Sequence, residues 1–533
     1  MKKLYRLLLL MSIVTACSGA ADGIHNLTIC STTDLHGAYF DSLYDGNTLR
    51  KTSLSRVSQY VKSVRNNGGN LVLIDIGDNL QGDPAAYYFN YVNTTDEHVC
   101  ERAFKYLGYD AVVVGNHDLE AGHSVYDRFR KDIGIPYLAA NTVITEGEKK
   151  GEPYFDQYTI VERDGIKVAV IGMTNSCIKM WISSKLYEGI DFMPIADVTQ
   201  QIVDQVMEKE NPHIVVLGLH SGVGTGRDDD LEDASLAVAK SVKGVDIIFC
   251  GHDHHPDARV VENPSGNVIL MDGGSRASVV AQCLATIEIK KGKVVDKHFD
   301  YRIIPMADCE SDTAYNTTFT PDFEEVKEFA NEEIGELKET IHMADALYGP
   351  SAYLHLIHTV QNESSGADIS IASPLSTGGE IKAGKLKFLD LVTIYPFENQ
   401  LYVIKMTGDQ IKNYLEYSYD NWIKGNGPSF NYDSAEGINY TVSKSAAYGE
   451  RVHIISMQNG EKFDPEKSYK VAMTSYRVSG AGGILEEGAG IDQNQIKDLL
   501  VDILPEIRVL LNDYIVAKKE IFPKREDNWS FVR

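Results

Sequence analysis

The chain has 533 residues, more than a single hydrophobic core usually organises, so at least two domains are predicted. Apolar residues at 43% and charged residues at 24% are ordinary globular values, which exclude a disordered chain and a multi-span membrane protein. The formal charge of -25 repels polyanions, so a nucleic-acid polymer is excluded as a natural partner and any small anionic substrate must be held by local cations, metal ions included.

In chain order the first residues are an address. Lys2, Lys3 and Arg6 precede an apolar run from Leu7 to Val14, too short to span a bilayer and suited to export. Val14-Thr15-Ala16-Cys17 resembles the bacterial lipobox. It predicts a signal peptide over residues 1–16, a lipidated Cys17 followed by an anchoring linker to residue 25, and a place in the bacterial cell envelope facing the periplasm or exterior. An ordinary cleaved signal with an incidental cysteine is the alternative. Six cysteines follow, of which Cys30 and Cys250 lie in apolar strand patterns, so no disulfide is predicted.

Apolar runs then share one kind of ending. "NLTICSTTDLHG" ends in Asp34 and His36, "NLVLIDIGDNLQGDP" in Asp78, and "DAVVVGNHD" in Asn116 and His117. "HIVVLGLHSG" ends in His220, and "VDIIFCGHDHHP" in His252 and His254. Between them lie helical patterns such as Leu54, Val57, Val61 and Val64 before the Gly68-Gly69 break. Alternating strands and helices predict an α/β layer architecture, in which ligands bind outside the carboxyl ends of the strands. The polar endings therefore converge. Taken singly, each histidine reads most simply as a satisfied loop residue; five endings of one kind outweigh that reading. Oxygen and imidazole donors suit zinc, manganese, iron or cobalt rather than calcium, and the seven candidates fit two metals that share Asp78.

The ordered set "TTDLHG", "GDNLQGDP", "GNHD", "GLHSG" and "GHDHH" resembles the calcineurin-like metallophosphoesterases, specifically the bacterial 5′-nucleotidase and 2′,3′-cyclic-nucleotide phosphodiesterase family, over nearly the whole mature chain. The resemblance implies an N-terminal four-layer αββα sandwich and a C-terminal α/β substrate-binding domain. It also implies two divalent ions, drawn from Zn, Mn, Mg, Co or Fe. Asp34, His36, Asp78 and His254 would hold one; Asp78, Asn116, His220 and His252 the other. His117 is left to stabilise the transition state or protonate the leaving oxygen, with Glu120 preferred as its carboxylate partner and Asp118 as the alternative. Asp118 also fits a simple helix cap.

The ligand-bearing endings stop after Cys309. Residues 26–309 are read as the metallophosphoesterase domain, 310–345 as a linker helix and 346–533 as the substrate-binding domain. The helical pattern over 320–341 carries Phe323, Val326 and Phe329 along one side, with Thr320 as its cap; packing on the first domain is equally compatible. Beyond it, "LYVIKMTGDQIKNYLEYSYD" places a strand before a Thr407-x-x-Gln410 capping box and a helix. By resemblance, a nucleobase would lie between Tyr432 and Tyr476. "STGGEIKAG" carries Glu380 and Lys382 where the 5′-nucleotidase branch has an arginine. The favoured activity is therefore 2′,3′-cyclic-nucleotide phosphodiesterase/3′-nucleotidase, with 5′-nucleotidase/UDP-sugar hydrolase and a non-catalytic nucleotide-binding lipoprotein as rivals.

Overall fold

Strand periodicity decides the first domain. In Asn70–Asp75, Val72 and Ile74 point one way and Leu71 and Leu73 the other, and all four are buried. Both faces of the strand must therefore be covered. The computed structural model, which describes residues 20–533 apart from 46–47, 228–229, 398 and 493–494, shows how. One six-stranded sheet runs in the order Lys293–Pro305, Val279–Lys290, Gly23–Thr32, Asn70–Asp75, Ala111–Val113 and Tyr137–Leu138. A second runs Asp257–Val261, Val268–Asp272, Ile247–Cys250, Ile214–Leu219, Ile166–Met173 and Tyr158–Arg163.

The sheets meet face to face. Ile29, Val72, Ile74 and Val113 of the first pack against Val168, Val170, Val216 and Phe249 of the second in one core. Leu71 and Leu73 instead face the helices Leu54–Asn66 and Val99–Leu107, while Ile195–Glu210 covers the outside of the second sheet. The result is the expected four-layer αββα sandwich. Residues 1–19, which carry the signal-peptide and Cys17 expectations, lie outside the described residues. Among the described residues no helix is long and apolar enough to cross a membrane, and the six described cysteines are all unpaired.

The junction differs from the expected linker helix over 310–345. The helix there is Thr313–Ala330, and its cap is Asp312, which accepts from the backbone N–H groups of Ala314 and Tyr315. Thr320 is not a cap; its hydroxyl donates to the Asn316 carbonyl one turn back. Tyr315, Phe319, Val326 and Ala330 are buried in the first domain's core, so the helix packs on that domain. Residues Glu333–Leu337 are a strand, paired with Gly384–Lys387 and Glu520–Ile521. The second domain thus begins near residue 333 rather than 346. Distant partners decided this against local helical propensity: Gly335 packs so close to Ile515 that a β-carbon would stand 2.6 Å from its Cγ2.

The second domain is built on a five-stranded sheet in the order Ser434–Glu436, Ile369–Ala372, Ser468–Thr474, Gln400–Thr407 and Leu500–Glu506. Thr407 Oγ1 accepts from the Gln410 N–H, and Gln410 Oε1 accepts from the Thr407 N–H, which starts the helix Gly408–Lys424 as the capping box requires. An aromatic seam joins the domains. The Tyr87 ring lies 5.0 Å from Phe388 and 6.1 Å from Phe329, with the Arg508 guanidinium above it.

Candidate active site

Three of the five ligand-bearing strands end in tight reversals that turn their last polar side chains inward, while Asn116 opens a helix. Asp34, His36, Asp78, His252 and His254 all adopt positive φ, between 45° and 85°. Such backbone costs about 1 to 3 kcal/mol per residue and persists where the surroundings over-determine it, as at functional sites. The preceding glycines allow the close approach. At Gly251 a β-carbon would stand 2.0 Å from Thr33 Oγ1, and at Gly115 2.1 Å from Asp78 Oδ1.

These turns bring the seven expected ligands into two adjoining groups. In the first, His254 Nε2 lies 3.3 Å from Asp34 Oδ1 and 3.0 Å from His36 Nε2. In the second, His220 Nε2 lies 3.2 Å from Asp78 Oδ2 and 3.0 Å from Asn116 Oδ1, and His252 Nδ1 lies 2.9 Å from the same amide oxygen. Asp34, His36 and His254, and likewise Asp78, His220 and His252, each present atoms within 4.8 Å of one another.

The chemistry of the donors fits divalent cations. Asp34 Oδ2 is satisfied by the Thr33 hydroxyl and the His252 N–H, but Asp34 Oδ1 is buried without a hydrogen-bond partner and faces the two histidines. A carboxylate oxygen left so is costly unless a cation meets it. His36 Nδ1 faces Gln81 Oε1 at 3.1 Å, and His220 Nδ1 faces the Ile76 carbonyl at 2.7 Å; both acceptors draw the proton to Nδ1 and turn Nε2 inward. Burial pushes His36 down to about 3, whereas at His220 the Asp78 carboxylate outweighs burial and raises the ring to about 10.

His117 stands beside this set and is wired differently. Its Nδ1 is 2.5 Å from Glu120 Oε2, one helical turn on. Burial disfavours its charge, but Glu120 and Asp78 outweigh burial and raise it to about 9. Asp118, the other candidate partner, is committed elsewhere. It accepts from the backbone N–H groups of Gly115, Asp78, Asn79 and Leu80, so it fastens the Asp78 turn to the Asn116 helix.

A cleft runs from this cluster to the second domain. Asn116, His117 and His252 line one end; Phe397, Phe430, Tyr476 and Arg477 line the other. Tyr476 is thus where the sequence placed it, but Tyr432 is not. Its ring is buried against Trp422, with centroids 5.6 Å apart and planes 9° from parallel, and its hydroxyl donates to the Gly427 carbonyl. Phe430 takes its place, 6.3 Å from Tyr476 and nearly perpendicular to it. The reason is local: Ser429–Asn431 is a turn of 3-10 helix, in which residues two apart point in different directions.

Arg477 was missed by the sequence reading. It is buried, pairs with Asp433 at 2.7 Å, and donates to the Phe430 carbonyl and to Asn431 Oδ1. Its guanidinium also lies 5.2 Å from the Tyr476 ring centre. One side chain therefore fixes the spacing of the two aromatic loops. Glu380 and Lys382 lie outside the cleft lining.

Two family descriptions match in the order of the two domains: calcineurin-like phosphoesterase over residues 27–256 and the 5′-nucleotidase C-terminal domain over 333–487. The chain belongs to the 5′-nucleotidase family of calcineurin-like phosphoesterases. As a member it is a phosphoric ester hydrolase, and the calcineurin-like phosphoesterases use divalent metals. A 2′,3′-cyclic-nucleotide 2′-phosphodiesterase/3′-nucleotidase of Salmonella typhimurium is 25% identical over 98% of this chain and 91% of its own length. The trifunctional nucleotide phosphoesterase YfkN of Bacillus subtilis is 24% identical over 97% of this chain, which spans only 40% of that longer protein. A Staphylococcus aureus protein solved with α-ketoglutarate shares the fold at a TM-score of 0.79, with 19% identity over 96% of this chain and all of its own.

Proposed function

We propose that this 5′-nucleotidase family member hydrolyses phosphate esters of nucleotides outside the cytoplasm, acting chiefly as a 2′,3′-cyclic-nucleotide phosphodiesterase and 3′-nucleotidase. The observation that carries the reading is one cleft bordered at one end by Asn116, His117 and His252, which belong to or adjoin the two groups of metal-type donors, and at the other by an aromatic pair. Asp34, His36, Asp78 and His254 would hold one divalent ion, and Asp78, Asn116, His220 and His252 the other. Bound there, the pair would activate a water and neutralise charge on the phosphoryl oxygens.

The chain's own groups do the rest. Phe430 and Tyr476 take the base, where stacking contributes about 1 to 3 kcal/mol with little regard to base identity. His117, kept charged by Glu120, faces the phosphate end, stabilises charge on the phosphoryl oxygens and donates a proton to the leaving oxygen. Among the described residues lining the cleft, Arg477 is the one lysine or arginine, and it is engaged by Asp433. A phosphate dianion would thus rely on the metals, which favours a singly charged cyclic diester. The Salmonella relative's activity supports the same choice. The export signal and Cys17 motif support an envelope location with a lipid anchor.

Phosphate release from 2′,3′-cyclic AMP, 3′-AMP, 5′-AMP and a UDP-sugar, each with a chelated control, tests this. Preference for the first two is expected. Preference for 5′-AMP would move the assignment to the 5′-nucleotidase branch, and nucleotide binding without turnover would move it to the non-catalytic nucleotide-binding lipoprotein.

A further inference from the structure

We propose that Glu232 is a positioning residue for the metal subsite of Asp78, Asn116, His220 and His252, holding His252 in the tautomer and ring plane that this subsite needs. The inference rests on the two-metal reading above. Glu232 Oε1 lies 3.2 Å from His252 Nε2, while Nδ1 of the same ring faces Asn116 Oδ1 at 2.9 Å. An ionised carboxylate only accepts, so the proton sits on Nε2 and the Nδ1 lone pair is left facing the other donors. Trp181 closes off ring rotation: it stacks on His252 with centroids 5.1 Å apart and planes 20° from parallel.

The loop that delivers Glu232 is anchored to the site. The side chain is half exposed, but the Glu232 carbonyl accepts from the Ser221 hydroxyl at 2.6 Å and from Asn175 Nδ2 at 2.9 Å. Ser221 follows His220, and its hydroxyl also accepts from the Ala234 N–H. At the loop's other end the Val223 N–H donates to Asp253, the residue after His252. Both ends are thus tied to neighbours of metal-type ligands. His36 and His220 rest on neutral acceptors, Gln81 Oε1 and the Ile76 carbonyl. His252 instead rests on a carboxylate, the kind of partner that fixes a ligating ring's tautomer and plane.

The test is cobalt(II) binding to the chelator-stripped full chain, read by calorimetry and by Trp181 fluorescence. Wild type is expected to bind two equivalents. Glu232→Ala weakens one of them about 10- to 100-fold and leaves the other within twofold. Glu232→Gln, which keeps an acceptor, loses less. Quenching of Trp181 follows the weakened equivalent and vanishes in Trp181→Phe. Asp34→Asn weakens the other equivalent without moving the Trp181 signal. Because Glu232 is half exposed, the stripped Glu232→Ala protein should melt with wild type, which separates the effect from misfolding. Two equivalents bound by Glu232→Ala at wild-type affinity, with only KM raised, would make Glu232 a substrate contact and overturn the proposal. Fewer than two equivalents bound by wild type would instead overturn the two-metal reading beneath it.

Discussion

Of two residues two positions apart, Phe430 lines the cleft and Tyr432 packs against Trp422. Phe430→Ala should raise KM for nucleotides about 5- to 150-fold, the equivalent of losing 1 to 3 kcal/mol of stacking, while KM for a base-free phosphate ester stays put. Tyr432→Ala should leave both KM values near wild type and lower the melting temperature, since it empties the space against Trp422. Steady-state kinetics on the two substrates, with a melt of each variant, distinguishes the roles. His117→Ala should lower kcat by about 10²- to 10⁴-fold with little change in KM, because the ring acts on the leaving oxygen rather than on the base. At this scale the metal-type ligands and the His117–Glu120 pair were legible, since their side-chain chemistry is written in residue type. Phe430 was not. Which of two neighbouring aromatics faces the cleft depends on one turn of 3-10 helix, and "SFNY" carries no signal for it.

Helices and strands in this chain are held by what they pack against, and buried charge shows it. Glu101, in the first turn of the helix Val99–Leu107, is buried, and one of its carboxylate oxygens has no hydrogen-bond partner. Burial raises its pKa to about 8, although Lys105 pulls the other way. The unfolded chain releases this proton near the ordinary value of 4.5, so between there and about pH 8 the native state binds more protons than the unfolded one. Stability contributed at this position therefore falls as pH rises through that window. Glu101→Gln removes the loss. Denaturant unfolding of both proteins at pH 5 and pH 9 should show the variant's advantage growing with pH; a difference that does not change with pH would count against it. The strands that end in ligands were legible from their apolar runs. The strand Glu333–Leu337 was not, because its partners lie about fifty and about one hundred and eighty residues away in sequence.

At the scale of the whole molecule, function depends on two domains meeting across one cleft. The seam of Tyr87, Phe329, Phe388 and Arg508 joins them. Tyr87→Ala should uncouple the domains, so that a single calorimetric transition splits in two while the metal-binding residues stay intact. A single unshifted transition would show that other contacts carry the coupling.

The sequence by itself determined the α/β layering, the two-domain plan, the seven metal-type residues and the family. Each of these is local: an apolar period of two or 3.6, or a residue whose type alone limits its chemistry. Only the tertiary structure decided the left-handed turns that aim the ligands, the exchange of Tyr432 for Phe430, the clasp of Arg477 on both aromatic loops, and the reach of Glu232 to His252. The exchange turns on one short 3-10 turn that residue type does not announce, and the rest depend on distances between residues far apart in the chain, which exist only once the sheets have closed on each other.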